Sequence, residues 1–363
     1  MRKGLFFWLV FTFNVFATIA LAMAIIAPFV SPKSFWPIAF MGLAFPILAI
    51  VNFLFLIFWS IALDKRFWLS FVVLLMSLFH IGKFFRIGPN ESITNGGHSI
   101  NVLSFNTHYM GAFDRKDQDT SFFIDKLKEI KPDIMCLQEF ANLGGSFEKP
   151  MFRQFFKEYK HFKTVNADGL SQTYPTGYGV CIVSKYPILK SGYLEQTNQS
   201  ANITVFADID VDGKIIRVVN THLKSIVFEK QDYKTVEHIS KAEGSAYGWS
   251  NIKRIISKLK NAFILRCNQV EIIRQKLDET TYPIIVCGDF NDSPTSYAYQ
   301  TMKGNLLDAF VESGVGTSTT YIGNMPSFRI DYILHDPSFT SRNYQTHSLN
   351  FSDHKIVSCT IYF

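Results

Sequence analysis

Short polar clusters stand where apolar runs of this chain begin or end, and their residue types suit the handling of a phosphoryl group. In Gly288-Asp289-Phe290-Asn291, a carboxylate and a neutral amide come after the run Ile284–Cys287 at alternate positions. On an extended chain that spacing puts both side chains on one face. Asp289 would orient a water or take a metal, and Asn291 would donate to a phosphoryl oxygen without repelling it. The same residues, continued by Asp292-Ser293-Pro294, also fit an Asx-rich turn after a buried strand. Ser352-Asp353-His354 precedes the last apolar run. Asp353 offers a hard oxygen to a cation, and His354 exchanges a proton near neutrality once an acid orients it. Asp331, in Arg329-Ile330-Asp331, is the candidate orienting acid. His222 closes Asn220-Thr221-His222 and would hydrogen-bond a phosphate, with Asn220 positioning a neighbour. Glu139, after Gln138, supplies a second oxygen for a metal, and Asn106 ends Val102–Phe105 in the same way. Each cluster alone has an ordinary structural explanation. Their recurrence at strand ends carries the weight.

The elements that position them alternate between strands and helices. Strand-like apolar runs cover Ile100–Phe105, Ile134–Leu137, Gly179–Ser184, Ile203–Ile209, Ile215–Asn220, Ile284–Cys287, Ile330–Leu334 and Lys355–Phe363. Helices are expected over Thr120–Ile130, ending before Pro132, and from about Ser250 to Leu277. Such a mixture implies sheets covered by helices. Polar residues at strand ends then gather on one rim, with a rigid scaffold behind them.

Taken in order, Leu103-Ser104-Phe105-Asn106, Leu137-Gln138-Glu139, Asn220-Thr221-His222, Gly288-Asp289-Phe290-Asn291, Arg329-Ile330-Asp331 and Ser352-Asp353-His354 resemble the endonuclease/exonuclease/phosphatase superfamily, also called deoxyribonuclease-I-like. The resemblance spans about residues 98–363. It implies an α+β fold, a four-layered α/β/β/α sandwich, working with Mg²⁺ or Mn²⁺. It also implies that Glu139 binds the metal with Asn106 and Asp353 near it, and that Asp289 orients or deprotonates the attacking water. Asn291 and His222 would stabilise the pentacovalent phosphorane, and His354, paired with Asp331, would act with them on the phosphate. A divalent ion would offset charge developing on the phosphoryl and leaving oxygens. His222 stands where abasic-site endonucleases carry Tyr, so this position is more similar to the secreted nuclease and sphingomyelinase branches.

Three regions are expected: an all-α transmembrane segment of three helices at residues 1–88, a polar linker at 89–97, and a catalytic domain at 98–363. Gly4 to Val30 carries no charged side chain, more than the ~20 residues that cross a bilayer. A second uncharged run goes from Ser34 to Leu63, interrupted by Pro37 and Pro46. The third, Phe67–Phe79, is short unless it continues towards Phe85, and otherwise fits a segment lying in the interface. The first run exceeds the ~7–15-residue apolar core of a signal peptide, so an uncleaved span is expected. Arg2 and Lys3 precede the first run and Lys65 and Arg66 separate the second from the third, against Lys33 alone in the first loop. That bias places the N-terminus inside and the catalytic domain on the extracytoplasmic side. Lys83, Arg86 and the unpaired cysteines count against that side.

Hydrophobic residues make up 48% of the chain and charged residues 18%, an apolar balance that the N-terminal runs explain. Residues 1–97 hold seven Lys/Arg against two acids and so account for most of the net charge of +6. Bulk charge therefore gives the catalytic part no argument for non-specific nucleic-acid binding. Five cysteines form no CxxC pair and four sit in apolar runs, which reads as buried strand residues rather than a zinc site or disulfide framework.

Asn251–Arg266 places Ile252, Ile255, Ile256, Leu259 and Phe263 on one helical face, with Lys253, Arg254, Lys258 and Lys260 mostly elsewhere. This helix carries two expectations: a basic face resting on anionic lipid, or an ordinary helix packing its apolar face on the sheet. The sequence thus points to a membrane-anchored, metal-dependent phosphodiesterase on a lipid head group, an envelope phosphodiester or a nucleic acid. The alternatives are a phosphomonoesterase on phosphorylated lipid or sugar, and a catalytically silent binding module of the same fold. The expected partners are the lipid bilayer and the phosphoester substrate, with no obligate protein partner.

Overall fold

The computed structural model describes residues 4–88, 97–108, 121–141, 159–166, 178–196, 202–226, 228–240, 249–323 and 328–363. The expected linker lies outside them apart from Gly97, as do Arg2, Lys3 and the helix start at Thr120.

Every apolar run expected to be a strand forms one. Two six-stranded sheets result. One has the order β13 (Thr340–Ser348), β14 (Lys355–Tyr362), β2 (Ser99–Asn106), β3 (Ile134–Ala141), β5 (Tyr178–Ser184) and β4 (His161–Asn166). The other runs β10 (Leu307–Asp308), β12 (Asp331–His335), β9 (Ile284–Asp289), β8 (Lys214–His222), β7 (Ile203–Val211) and β6 (Ile188–Gln196). Alternation along the strands decides which side chains meet. Ile100, Val102, Ile134 and Cys136 of one sheet pack on Val205, Val218, Ile285 and Cys287 of the other, forming the core between them. The outward set of the first sheet, Leu103, Phe105, Met135 and Leu137, is covered by Phe123, Ile124 and Leu127 of α6 (Ser121–Ile130). On the second sheet Val219, Val286 and Leu334 are covered by α8 (Trp249–Asp278) and α9 (Tyr297–Lys303). The four-layered α/β/β/α sandwich is therefore present. All five cysteines are free and buried, four on strands and Cys267 on α8.

Strand direction explains the convergence of the polar clusters. Strands β2 and β3 run parallel, as do β8 and β9; Asn106, His222 and Asp289 close their strands, Glu139 lies two residues before the end of β3, and the hydrogen bond from Asn106 to Asp289 joins these ends of the two sheets. Strands β12 and β14 run antiparallel to β9 and β2, so their starts, Asp331 and His354–Lys355, lie at that same end. Register aligns His222 with Asp289 and Asp331 with Asp289.

The N-terminal segment is a helical bundle: α1 (Leu5–Ile26), the short α2 (Pro32–Phe35) and α3 (Pro37–Leu43), α4 (Phe45–Ile61) and α5 (Phe67–Ile81). Among the described helices α1 alone is long and apolar enough by itself to cross a bilayer. The second expected span is bent by 69° between α3 and α4, where Pro37 and Pro46 start new helices, and α5 has 15 residues. The interruption expected at Pro37 and Pro46 is there, and the described helices give one span, or two if the bent α3–α4 pair counts as one, against the three expected. Inside the bundle, polar side chains satisfy each other: Asn14 donates to Ser70 at 2.7 Å and accepts from Trp59 Nε1 at 2.9 Å. Asn52 accepts from Thr18 at 3.1 Å.

This bundle is docked on the sandwich. Gly42 lets α3 approach so closely that a Cβ there would lie 2.7 Å from the Thr295 carbonyl, and Thr295 Oγ1 donates to the Gly42 carbonyl at 2.8 Å. Phe40 meets Phe263 edge-on, Lys33 pairs with Glu271, and β1 (Phe85–Arg86) pairs with β11 (Gly316–Thr317).

Candidate active site

At the shared end of the sheets the strand-end residues line a cavity of about 510 Å³. Its floor holds His108, Glu139, Asp289, Asn291, Asp353 and His354. Asp289 sits at the centre. Its Oδ2 accepts from the Asn106 amide at 3.0 Å, with His222 Nε2 and His354 Nε2 each 3.8 Å away. Gly288 brings the chain there with φ +142°, and a Cβ at that position would lie 1.9 Å from the Thr221 carbonyl. Only glycine permits the β8–β9 approach.

Asp289 and Asn291 share the cavity, but not through strand alternation. The strand β9 ends at Asp289, Asn291 takes φ 53°, and its backbone N–H donates to Asp289 Oδ1 at 2.8 Å. The sequence expectation of an extended pair is corrected: the residues form an Asx turn, which the adjoining Asp292-Ser293-Pro294 favours. The Asn291 amide donates to the Leu223 carbonyl at 3.1 Å, which fixes its plane and leaves its other N–H for a ligand. Glu139 is likewise aimed by its backbone. The β3–β5 register shifts between Leu137 and Phe140, and Glu139 adopts φ 46°. A bulge of that kind turns a side chain out of the sheet plane. Left-handed backbone at non-glycine residues costs about 1–2 kcal/mol each. Three such residues, His108, Glu139 and Asn291, line this one cavity.

Asp331 meets His354 as expected. Both its oxygens face His354 Nδ1, at 3.0 and 3.2 Å, so the ring donates through Nδ1 and presents Nε2 to Asp289. Burial opposes charging this ring, but Asp331 and Asp289 outweigh it and push His354 up to about 10. The imidazole is therefore a cation at neutral pH. Asp289 is raised too, by burial and by Asp331 against the pull of His354 and His222, and is pushed up to about 6. One group holds a proton and its neighbour stands ready to accept one.

Asp353 has a partner that the sequence reading missed. His108 Nδ1 lies 2.6 Å from its Oδ1, and burial is overcome by that bond and by the His354 charge, so Asp353 is held below its ordinary value. His108 lies two residues beyond Asn106, past the strand end, so the signal used for His222, a histidine closing an apolar run, was present but weaker. Asn220 stands behind the site rather than in it. Its amide bonds the Leu137 and Cys181 carbonyls at 3.0 and 2.8 Å and its oxygen accepts from Gln138 at 2.6 Å, clamping the two sheets together. Buried Arg266 also reaches the cavity edge, held by Asp292 at 2.9 Å.

Two sets of residues compete as a metal site. Asp289, Asp331 and His354 place one ligand atom each within 4.8 Å of one another. With Nδ1 committed to Asp331 and the ring protonated, however, His354 has no lone pair to give, and this trio is a carboxylate–imidazolium–carboxylate chain. The Asn106, Glu139 and Asp353 set is made of oxygen donors, the chemistry Mg²⁺ takes. Burial raises Glu139 and nearby Asp353 raises it further, while the Asn106 amide, His108 and His354 lower it. A cation there would relieve two facing carboxylates, so these residues fit the ion.

Of the two expectations for α8, the structure fits ordinary packing. Arg254 and Lys258 both bind Asp232 at 2.8 Å, locking α7 (Lys230–Ser240) to α8, and Lys260 lies over the Trp36 ring. Ile255 and Phe263 are buried. Ordinary packing accounts for this helix.

Comparison with known proteins agrees with the geometry. A family model described as the endonuclease/exonuclease/phosphatase family matches residues 99–354, and a model of a domain of unknown function matches residues 6–84. No curated protein sequence matches the chain. Among solved structures, the human Nocturnin catalytic domain with bound sulfate is similar at 17% identity and TM-score 0.50, covering 73% of this chain and 93% of that one. An endonuclease/exonuclease/phosphatase from Bacteroides vulgatus has 20% identity, TM-score 0.49 and coverage of 73% and 99%. Sphingomyelinase C from Streptomyces griseocarneus has 18% identity, TM-score 0.48 and coverage of 72% and 99%. At these identities the likeness is one of fold. With the family model matching most of its length, the chain belongs to the endonuclease/exonuclease/phosphatase family and is a phosphoester hydrolase.

Proposed function

We propose that the chain is a membrane-anchored, divalent-metal-dependent phosphodiesterase. The observation that carries this reading is the buried Asp289 carboxylate, set between two histidines and the Asn106 amide at the floor of an open cavity. Asp289 takes a proton from the attacking water as the water oxygen bonds to phosphorus and one P–O ester bond breaks. The His354 imidazolium, kept charged by Asp331, donates from Nε2 to the phosphoryl group as negative charge grows. His222 and the free Asn291 N–H donate to the same oxygens. Asn106, Glu139 and Asp353 would hold the metal, which when bound supplies positive charge beside the phosphoryl and leaving oxygens. Mg²⁺ or Mn²⁺ suits these oxygen donors.

A diester is favoured over a monoester because the cavity continues beyond the polar floor, leaving room for a second ester group. Anchoring is supported by the length of α1 and by the outward large side chains of the bundle, among them Phe13 at 67% and Phe16 at 66% exposure. The buried hydrogen bonds of Asn14 and Asn52 are what helices in lipid require of polar side chains. We place the catalytic domain on the extracytoplasmic side from the basic flanks; external protease should cut it in intact cells, and full protection would reverse the orientation.

The test uses the full chain in detergent with Mg²⁺ or Mn²⁺ and a panel of phosphodiesters and monoesters. Faster release of alcohol from diesters is expected, without early inorganic phosphate. Release of inorganic phosphate from monoesters as the faster reaction would make it a phosphomonoesterase instead.

A further inference from the structure

The lining of the cavity is of two chemical kinds. Besides the polar groups, the cavity is lined by Leu43, Ile226, Phe228, Leu259, Phe263 and Phe328, which make up its apolar wall. Leu43 belongs to the N-terminal bundle, at the α3–α4 bend, and Leu259 and Phe263 belong to the first half of α8. The wall is thus assembled where the bundle meets the sandwich. Close packing at Gly42–Thr295 and Phe40–Phe263 fixes Leu43 in place. Other apolar side chains of the same elements are exposed. Ile47, one turn into α4, is 66% exposed, and Phe29 and Phe35, in the connection between α1 and α3, are 66% and 48% exposed. On the α8 side Trp249 and Ile256 are exposed as well. Apolar lining shared between a helix bundle and a reaction cavity marks a site for an apolar ligand.

We propose that the substrate is a phosphoester lipid resident in the same bilayer. It would enter from the bundle side with its phosphoester at Asp289 and His354 and the first methylenes of its chain along Leu43, Leu259 and Phe263. This inference rests on the phosphodiesterase reading above and names its substrate class. A water-soluble phosphodiester leaves the wall unused. Each methylene moved from water onto the wall is worth roughly a fourfold gain in kcat/KM.

The test uses the full chain in lipid nanodiscs with Mg²⁺ and p-nitrophenyl alkyl phosphates of ethyl, butyl, hexyl and octyl chain. The expected result is at least a tenfold rise in kcat/KM from ethyl to octyl, which collapses to within about twofold in Leu43→Ser and Leu259→Ser. Leu43→Met, still apolar, keeps the rise. Both serine positions are half-buried, so neither variant opens the core. Equal rates along the series in the wild type overturn the inference while the hydrolase reading stands. A rise that survives in both serine variants overturns the assignment of the wall. No turnover of any member with Mg²⁺ or Mn²⁺ removes the hydrolase reading and the inference with it. Hexadecyl p-nitrophenyl phosphate separates the sources. Turnover only when it shares the protein's bilayer supports the proposal, and equal turnover from separate vesicles overturns it.

Discussion

Replacing Asp331 with Asn removes the charge that keeps His354 protonated while retaining an oxygen to accept its Nδ1–H bond. His354 stands at about 10 against an ordinary 6.5, with burial opposing the shift and Asp331 and Asp289 producing it. At about 1.4 kcal/mol per unit, the two carboxylates favour the imidazolium by roughly 5 kcal/mol net. Asp331 touches the ring at 3.0 Å and Asp289 stands 3.8 Å off, so Asp331 supplies the larger share. Loss of half the total, roughly 2 to 3 kcal/mol, brings the ring down to roughly pH 8, so kcat falls only about twofold near pH 8 and roughly 30-fold near pH 10. The direction in pH is fixed as well. In the wild type the cation persists until pH approaches about 10, so the alkaline fall in activity belongs there. In Asp331→Asn that fall moves down towards neutrality. The assay is a pH–rate profile for bis-p-nitrophenyl phosphate with the full chain in detergent, alongside NMR titration of His354. An unchanged kcat and an unmoved alkaline limb in the variant would refute the role given to this pair.

Asp289, raised by burial to about 6, is protonated below that pH and cannot accept a proton from water. Activity should therefore fall as pH drops through about 6, and a flat profile down to pH 5 would remove Asp289 as the base. Glu139→Gln keeps the shape of a proposed metal ligand without its charge; half-maximal Mg²⁺ should rise by about tenfold or more, measured by metal titration of activity. An unchanged Mg²⁺ requirement would exclude Glu139 from the metal site. Gly288→Ala drives a Cβ to 1.9 Å from the Thr221 carbonyl, so the domain should lose at least about 3 kcal/mol, read by thermal denaturation.

The strand ends were legible because buried strands announce themselves as apolar runs, and a polar residue just past such a run must lie on the rim. Asn106, Glu139, His222, Asp289 and His354 were found that way, each by local pattern. The edge strand β13 was not: Thr340–Ser348 is mostly polar and half-exposed, since an edge strand needs no continuous apolar face. The geometry of Asn291 was misread because a two-residue spacing fits both a strand and an Asx turn, and the left-handed backbone that decides between them has no signature beyond Asn itself. Arg254 and Lys258 looked like a free basic face because Asp232, their partner, lies on another helix. The largest omission was the docking of the bundle on the sandwich. Gly42, Phe40 and Leu43 read as ordinary residues of an apolar run, and their contacts with Thr295 and Phe263 join positions more than 200 residues apart. Such contacts depend on tertiary packing, which a linear pattern does not encode.

The central claim is that Asp289 and a divalent ion together hydrolyse a phosphodiester. Its most direct measurement is turnover of bis-p-nitrophenyl phosphate by the metal-stripped full chain, before and after Mg²⁺ or Mn²⁺ is restored, with Asp289→Asn in parallel. No turnover is expected in EDTA, with recovery once the ion is restored and a loss of about 10³-fold or more in the variant. Equal turnover in EDTA and Mg²⁺, or a variant as active as the wild type, would contradict it.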